Sequence, residues 1–175
     1  MNRPQSFAMW ITGLPASGKS TIVSALKPQL EGLGLTVEVL ESDEARRVIT
    51  PIPTYSESER DLFYRSLAFT GQKLVAHDVT VVFDATASRR AYRDFAKSVI
   101  PRFIEVSVEC PLAICMERDR KETYRKGQRG DSLTVPGLQL PYEAPINPDL
   151  RIDTTMTASG DAAGQILDLV KAKFL

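Results

Sequence analysis

The 175 residues include 22 basic and 22 acidic side chains, one histidine and 43% hydrophobic residues. A chain of this length buries roughly two thirds of its unfolded surface in one core, so a single domain over 1–175 is expected. The cancelling charge excludes a net field that would draw the protein to nucleic acid or to an anionic membrane, and phosphate binding therefore has to be local.

Cys110 and Cys115 match neither a zinc pattern nor a C-x-x-C redox pair, and read as reduced, buried thiols of a cytoplasmic protein. Met1 to Ser6 lead directly into a short strand without the longer apolar run of a signal peptide, and no segment approaches the length of a membrane span.

In chain order, strands are expected at Phe7 to Ile11, Thr36 to Leu40, Val79 to Phe83, Phe103 to Val108 and Leu150 to Asp153. Helical periodicity covers Gly18 to Leu33, Ser56 to Ala76, Ser88 to Ile100, Pro111 to Arg118 and Asp161 to Phe174. This alternation predicts an α/β fold, a five-stranded and mostly parallel sheet covered by helices on both faces. Thr50 to Tyr55 and Asp119 to Pro148 fit neither period and read as loops, the second a candidate lid.

Between the first strand and the first helix stand Gly13, Leu14, Pro15, Ala16, Ser17, Gly18, Lys19, Ser20 and Thr21. The spacing of a glycine, four residues and Gly-Lys-Ser lets backbone N–H groups wrap a phosphate while the next helix offers its positive end. This is the P-loop of a nucleoside triphosphatase fold. Lys19 is expected to reach the β- and γ-phosphates, Ser20 to ligate Mg²⁺ held with ATP, and Thr21 to support the helix start.

A GTPase switch would carry an N-K-x-D guanine reader, and none is present; Asp161-Ala162-Ala163-Gly164 has a D-x-x-G spacing but reads as a helix N-cap. A small-molecule kinase needs a carboxylate facing the P-loop, basic residues and a lid. Asp43, after the second strand, is the candidate general base, with a role at Mg²⁺ directly or through water; capping Glu44 to Ile49 is compatible with it. Asp84 closes the third strand at the same edge, as an Mg²⁺-linked group or a cap. Arg118, Arg120, Lys121, Arg125, Lys126 and Arg129 form a basic run, of which Arg118 is the favoured catalytic cation and the later members read as a solvated helix face. His77 has no second metal ligand in spacing and reads as a helix C-terminal residue.

With these residues in view the chain resembles the adenylylsulfate kinase family, which phosphorylates the 3′-hydroxyl of adenosine 5′-phosphosulfate with MgATP. The likeness spans nearly the whole chain. It is carried by Gly13 to Thr21, by Phe103-Ile104-Glu105-Val106 through Cys110-Pro111-Leu112, by Arg118-Asp119, and by Pro141-Tyr142-Glu143-Ala144-Pro145 with Asn147-Pro148. The family's L-D-G-D-N-x-x-R looks like Leu40 to Arg46, which implies the catalytic aspartate at Asp43 and an acceptor-binding arginine at Arg46 or Arg47. Its F-S-x-x-D-R-x-x-N segment is similar to Tyr55 through Arg60 to Phe63, with Phe63 in place of the asparagine. The resemblance implies an ATP-dependent kinase of sulfate assimilation, a homodimer, and an acceptor site built from Asp43, Arg46, Tyr55, Arg60, Phe63, Thr86 and Leu138.

The acceptor half departs from the pattern. Ala87 replaces a serine, for which Thr86 or Ser88 can substitute, and Leu133 and Val135 replace a lysine and the phenylalanine that stacks on the acceptor's adenine. Tyr55 or Phe63 can supply that stack. Two acceptor readings stay open, adenosine 5′-phosphosulfate and another nucleotide-linked or small hydroxyl compound. A nucleotide-binding regulator without turnover is the third alternative.

Overall fold

A computed structural model describes residues 5–175, so the part of the N-terminal reading that rests on Met1 to Pro4 lies outside the described residues. The elements run β1 (Ala8–Thr12), α1 (Lys19–Gly32), β2 (Thr36–Glu41), α2 (Ser42–Ile49), α3 (Glu57–Ala76), β3 (Val79–Asp84), α4 (Arg90–Val99), β4 (Phe103–Glu109), α5 (Leu112–Glu117), α6 (Thr123–Arg129), β5 (Leu150–Asp153) and α7 (Ser159–Phe174). The strands join in the order β2-β3-β1-β4-β5 and every pair is parallel. The sheet is therefore wholly rather than mostly parallel.

Alternation along β1 explains the two layers, since successive side chains point to opposite faces. Met9 and Ile11 pack with Ile22, Leu26 and Leu30 of α1 and Ala162, Ile166 and Val170 of α7. Ala8 and Trp10 pack on the other face with Phe63, Tyr64 and Leu67 of α3 and Tyr92 and Ala96 of α4. The indole of Trp10 stacks on Phe83 with centroids 4.5 Å apart and donates through Nε1 to the Ala85 carbonyl at 3.0 Å, so its one polar atom is met inside the core.

Sheet order reverses at β1, whose neighbours β3 and β4 carry the chain away on either side. The carboxyl end of β1 is thus the switch point of the sheet, where open α/β folds bind ligands.

Three local expectations are corrected. Asp119 to Pro148 is not a continuous loop, because α6 lies within it. The Asp119 carboxylate accepts the backbone N–H groups of Thr123 (2.8 Å), Tyr124 (2.7 Å) and Arg125 (3.1 Å), which meets donors that the first turn of a helix leaves unpaired. Asp43 does not cap α2; Glu41 holds the N-cap position and Asp43 lies in the first turn. Asp161 likewise lies in the first turn of α7 behind the N-cap Ala158, where its charge suits the positive helix end. His77 stands at the C-cap position of α3.

Gly71 gives the two-layer packing a sharp test. A Cβ at this position of α3 would lie 2.3 Å from Phe83 Cζ, an approach that neither the buried ring nor the helix can relieve without shifting. Gly71→Ala is expected to destabilise the protein by about 1–3 kcal/mol through overpacking, read as a lower urea midpoint. An unchanged midpoint would contradict this packing.

Candidate active site

The P-loop is bent by residues that tolerate its angles and its crowding. Gly18 has φ +102° and Ala16 φ +58°, both in the left-handed region. Lys19 Nζ folds back onto the loop, donating to the carbonyls of Gly13 (3.1 Å) and Leu14 (2.8 Å). Burial lowers its pKa, against the opposing pull of Asp84, Cys115 and Asp43.

A cleft of about 930 Å³ opens at this edge. Pro15, Ala16, Gly18, Lys19, Ser20 and Thr21 line its floor, while Gly13, Leu14 and Ser17 lie behind them. Asp43, Arg46, Tyr55, Arg60, Asp84 and Thr86 border the same space, and so do Arg118, Arg120 and Lys121. The parallel sheet does this gathering, because β1, β2 and β3 all end their strands at one edge.

The candidate base sits under a cation that the sequence did not single out. Lys121 Nζ reaches across the cleft to Asp43 Oδ2 at 2.8 Å and Glu41 Oε1 at 3.2 Å. The hydrogen bond to Asp43 is the main reason its pKa is raised. Arg118, the favoured lid cation, instead donates to Thr154 Oγ1 (3.2 Å) and the Thr154 carbonyl (3.1 Å), and Thr154 donates to the Ser17 carbonyl at 2.8 Å. Arg118 therefore braces the P-loop from beside α7. Arg125 pairs with Glu122 and Arg129 with Asp131 on the outer side of α6, which fits the solvated-face reading of the later members.

Two acceptor residues named from sequence do not reach the cleft. Phe63 is wholly buried, since it lies on the core face of α3 beneath Arg46. Leu138 is turned toward Gly127 and the lid interior, where a Cβ added at Gly127 would meet its Cδ2 at 2.9 Å. Of the two candidates for the missing serine, Thr86 lines the cleft and Ser88 is buried behind it.

The lid is docked at both ends. Tyr124 donates its hydroxyl to the Pro15 carbonyl at 2.9 Å, and Tyr124, Cys115 and Val135 form a small cluster against Leu14 and Ala16. Burial pushes the Cys115 thiol up to about 12, which keeps it protonated and inert. Cys110 is only half-buried, so the expectation of two buried thiols holds for Cys115 alone.

At the far end Tyr142 and Thr12 share a hydrogen bond at 3.0 Å, and Arg93 ties the lid to the sheet. Arg93 is buried; its Nε donates to Glu105 Oε1 at 2.7 Å, its Nη1 to the Ala87 carbonyl and its Nη2 to the Glu143 carbonyl at 2.6 Å. Sequence reading passed over this pair, although Glu105 inside an apolar strand was a usable signal: a buried charge demands a partner.

Asp43, Asp84 and the Ser20 hydroxyl offer oxygen donors to one space, the donor type that Mg²⁺ takes while keeping several waters. No group of three or more His, Cys, Asp or Glu suited to a metal occurs among the described residues. No helix among the described residues is long and apolar enough to cross a membrane.

A family model described as adenylylsulphate kinase matches residues 5–153. A probable adenylyl-sulfate kinase of Archaeoglobus fulgidus is 37% identical over 149 residues, covering 85% of this chain and 96% of its own. An adenylyl-sulfate kinase of Rippkaea orientalis is 34% identical, covering 94% of this chain and 91% of its own. The Mycobacterium tuberculosis APS kinase CysC, solved in complex with AMPPNP and APS, superposes with a TM-score of 0.89 at 29% identity, covering 96% of this chain and 99% of that chain.

Arg93→Met leaves Glu105 buried without its cation and frees the Ala87, Arg89 and Glu143 carbonyls. It is expected to cost about 3–5 kcal/mol in denaturant unfolding, the range for a broken buried ion pair. A loss below about 1 kcal/mol, the level of an exposed pair, would remove Arg93 as the lid anchor.

Proposed function

The chain belongs to the adenylylsulphate kinase family, and from that premise we propose that it moves the γ-phosphoryl group of ATP to the 3′-hydroxyl of adenosine 5′-phosphosulfate, giving 3′-phosphoadenosine 5′-phosphosulfate and ADP. One observation carries the reading: a P-loop lysine and a carboxylate in the first turn after β2, Lys19 and Asp43, border the same cleft with Arg46 and Arg60.

In this reading the N–H groups of the P-loop and Lys19 hold the β- and γ-phosphates. Ser20 and Asp43 would hold Mg²⁺, with Asp84 lining the same cleft, and the ion would offset phosphate charge. Asp43 Oδ accepts the proton of the acceptor hydroxyl, and Lys121 steadies that carboxylate through its 2.8 Å contact. Arg46 and Arg60 face the acceptor's anionic groups. Arg118 keeps the P-loop in place through Thr154. The lid excludes water, and positioning supplies most of the rate.

The adenine of the acceptor meets Tyr55, which lines the cleft and is 39% exposed. Val135 lines the cleft but has no ring to stack on an adenine. That missing lid aromatic favours the second reading, a different nucleotide-linked or small hydroxyl acceptor on the same donor site. A cytosolic setting suits the two free thiols.

A coupled ADP-release assay with adenosine 5′-phosphosulfate, set against other nucleotides and phosphorylated alcohols, tests the reading. Stimulation by the sulfate ester above the rest is expected; no stimulation sinks it. Lys19→Ala is expected to lose most turnover and to weaken ATP binding. Asp43→Asn is expected mainly to lower kcat, by about 10²–10⁴-fold, the range for a positioned general base.

A further inference from the structure

Phe63 stands where the family pattern has an asparagine, and its ring does something an asparagine cannot. The guanidinium carbon of Arg46 lies 3.8 Å from the Phe63 centroid, with Tyr55 and Tyr64 farther out at 5.3 Å and 5.7 Å. Contact at that distance means the planar cation lies on the ring face, and Arg is the side chain best shaped for it.

The same arginine has a donor to spare. Its buried Nη1 forms an ion pair with Glu59 Oε1 at 3.7 Å but makes no hydrogen bond. Glu59 is itself engaged by Thr54 and Tyr55, which draws its carboxylate toward the loop rather than toward Arg46. A buried donor whose ion-pair partner stands beyond hydrogen-bond reach is costly to keep, and Arg46 lines the cleft. Neighbouring Arg60, by contrast, spends Nε and Nη2 on the carbonyls of Tyr55 (3.1 Å) and Thr134 (3.0 Å).

We propose that Phe63 is a positioning residue for acceptor recognition: its buried ring holds the Arg46 guanidinium flat at the acceptor end of the cleft, so that Arg46 meets the acceptor's anionic group with its orientation already set. The inference rests on the reading of the acceptor as a nucleoside phosphosulfate. Asparagine would offer the acceptor a hydrogen bond of its own; phenylalanine has none to offer and acts through the arginine. Rigidity gained before binding lowers the ordering cost of the bound state, so the effect belongs in the acceptor KM.

A double-mutant cycle tests this with adenosine 5′-phosphosulfate as the acceptor. Phe63→Leu is expected to raise the acceptor KM by about 10-fold, which is about 1.4 kcal/mol, leaving kcat and the KM for ATP within about 2-fold. In an Arg46→Ala background the same substitution is expected to change the acceptor KM by less than about 2-fold, because the residue it acts through is gone. An equal rise in both backgrounds, or no rise with Arg46 present, overturns the proposal. If Phe63→Leu does not fold, Phe63→Met completes the cycle with a side chain of closer volume.

A readout without acceptor runs beside it. In protein carrying isotope-labelled arginine, hindered rotation of the Arg46 guanidinium is expected to give separate Nη resonances that merge in Phe63→Leu. Merged signals in both proteins overturn the proposal. Separate signals with no turnover of the sulfate ester defeat the functional reading and leave the positioning role standing, whereas turnover with an additive cycle defeats the positioning role alone.

Discussion

Gly13 has no room for a side chain: a Cβ there would lie 2.5 Å from the Val108 carbonyl and 2.7 Å from Ser17 Oγ. That single close approach presses the P-loop against the end of β4 and fixes where β1 hands over to α1. Because β1 is the central strand, with β3 and β4 on either side, the loop sits at the reversal of the sheet. Asp43 and Asp84 then arrive beside Lys19 because β2 and β3 run parallel to β1 and finish at the same edge. The grouping of Lys19, Asp43 and Asp84 is thus a consequence of strand direction and one crowded glycine.

Around that fixed point the chain holds several unfavourable backbone angles. Ala16, Tyr55, Ala87 and Glu122 all have φ between +42° and +58°, and each lines the cleft or adjoins a residue that does. Such angles cost on the order of 1–3 kcal/mol each and persist only where neighbours hold them. The neighbours are visible: Tyr124 holds the Pro15 carbonyl before Ala16, Arg93 holds the Ala87 carbonyl, Arg60 holds the Tyr55 carbonyl, and Asp119 organises the turn that carries Glu122. The segment 119–148 is tied to the P-loop through Tyr124 and to the sheet through Tyr142 and Arg93.

Much of this was legible in the sequence for definite reasons. The strands were readable because a parallel sheet buried on both faces writes nearly continuous apolar runs, as Ala8 to Ile11 and Val81 to Phe83 do. The P-loop was readable because phosphate wrapping demands glycines and a lysine at fixed spacing. α6 was not, since Thr123–Arg129 has no apolar period and is organised by the carboxylate of Asp119 rather than by its own amphipathicity. Lys121 was visible only as one of six basic residues; nothing in spacing says that it, rather than Arg118, bridges to Asp43. Phe63 misled for a related reason, because an aromatic at an acceptor position suggests a base stack, whereas burial on α3 gives the ring to an arginine.

If a P-loop donor site and Asp43 act on one acceptor hydroxyl, the transferred phosphate lands at a single position. With ATP radiolabelled in the γ-phosphate and adenosine 5′-phosphosulfate as acceptor, label that a 3′-specific nucleotidase releases is expected, with loss of that product in Asp43→Asn. Label on another position, or label that appears undiminished without the Asp43 carboxylate, would contradict it.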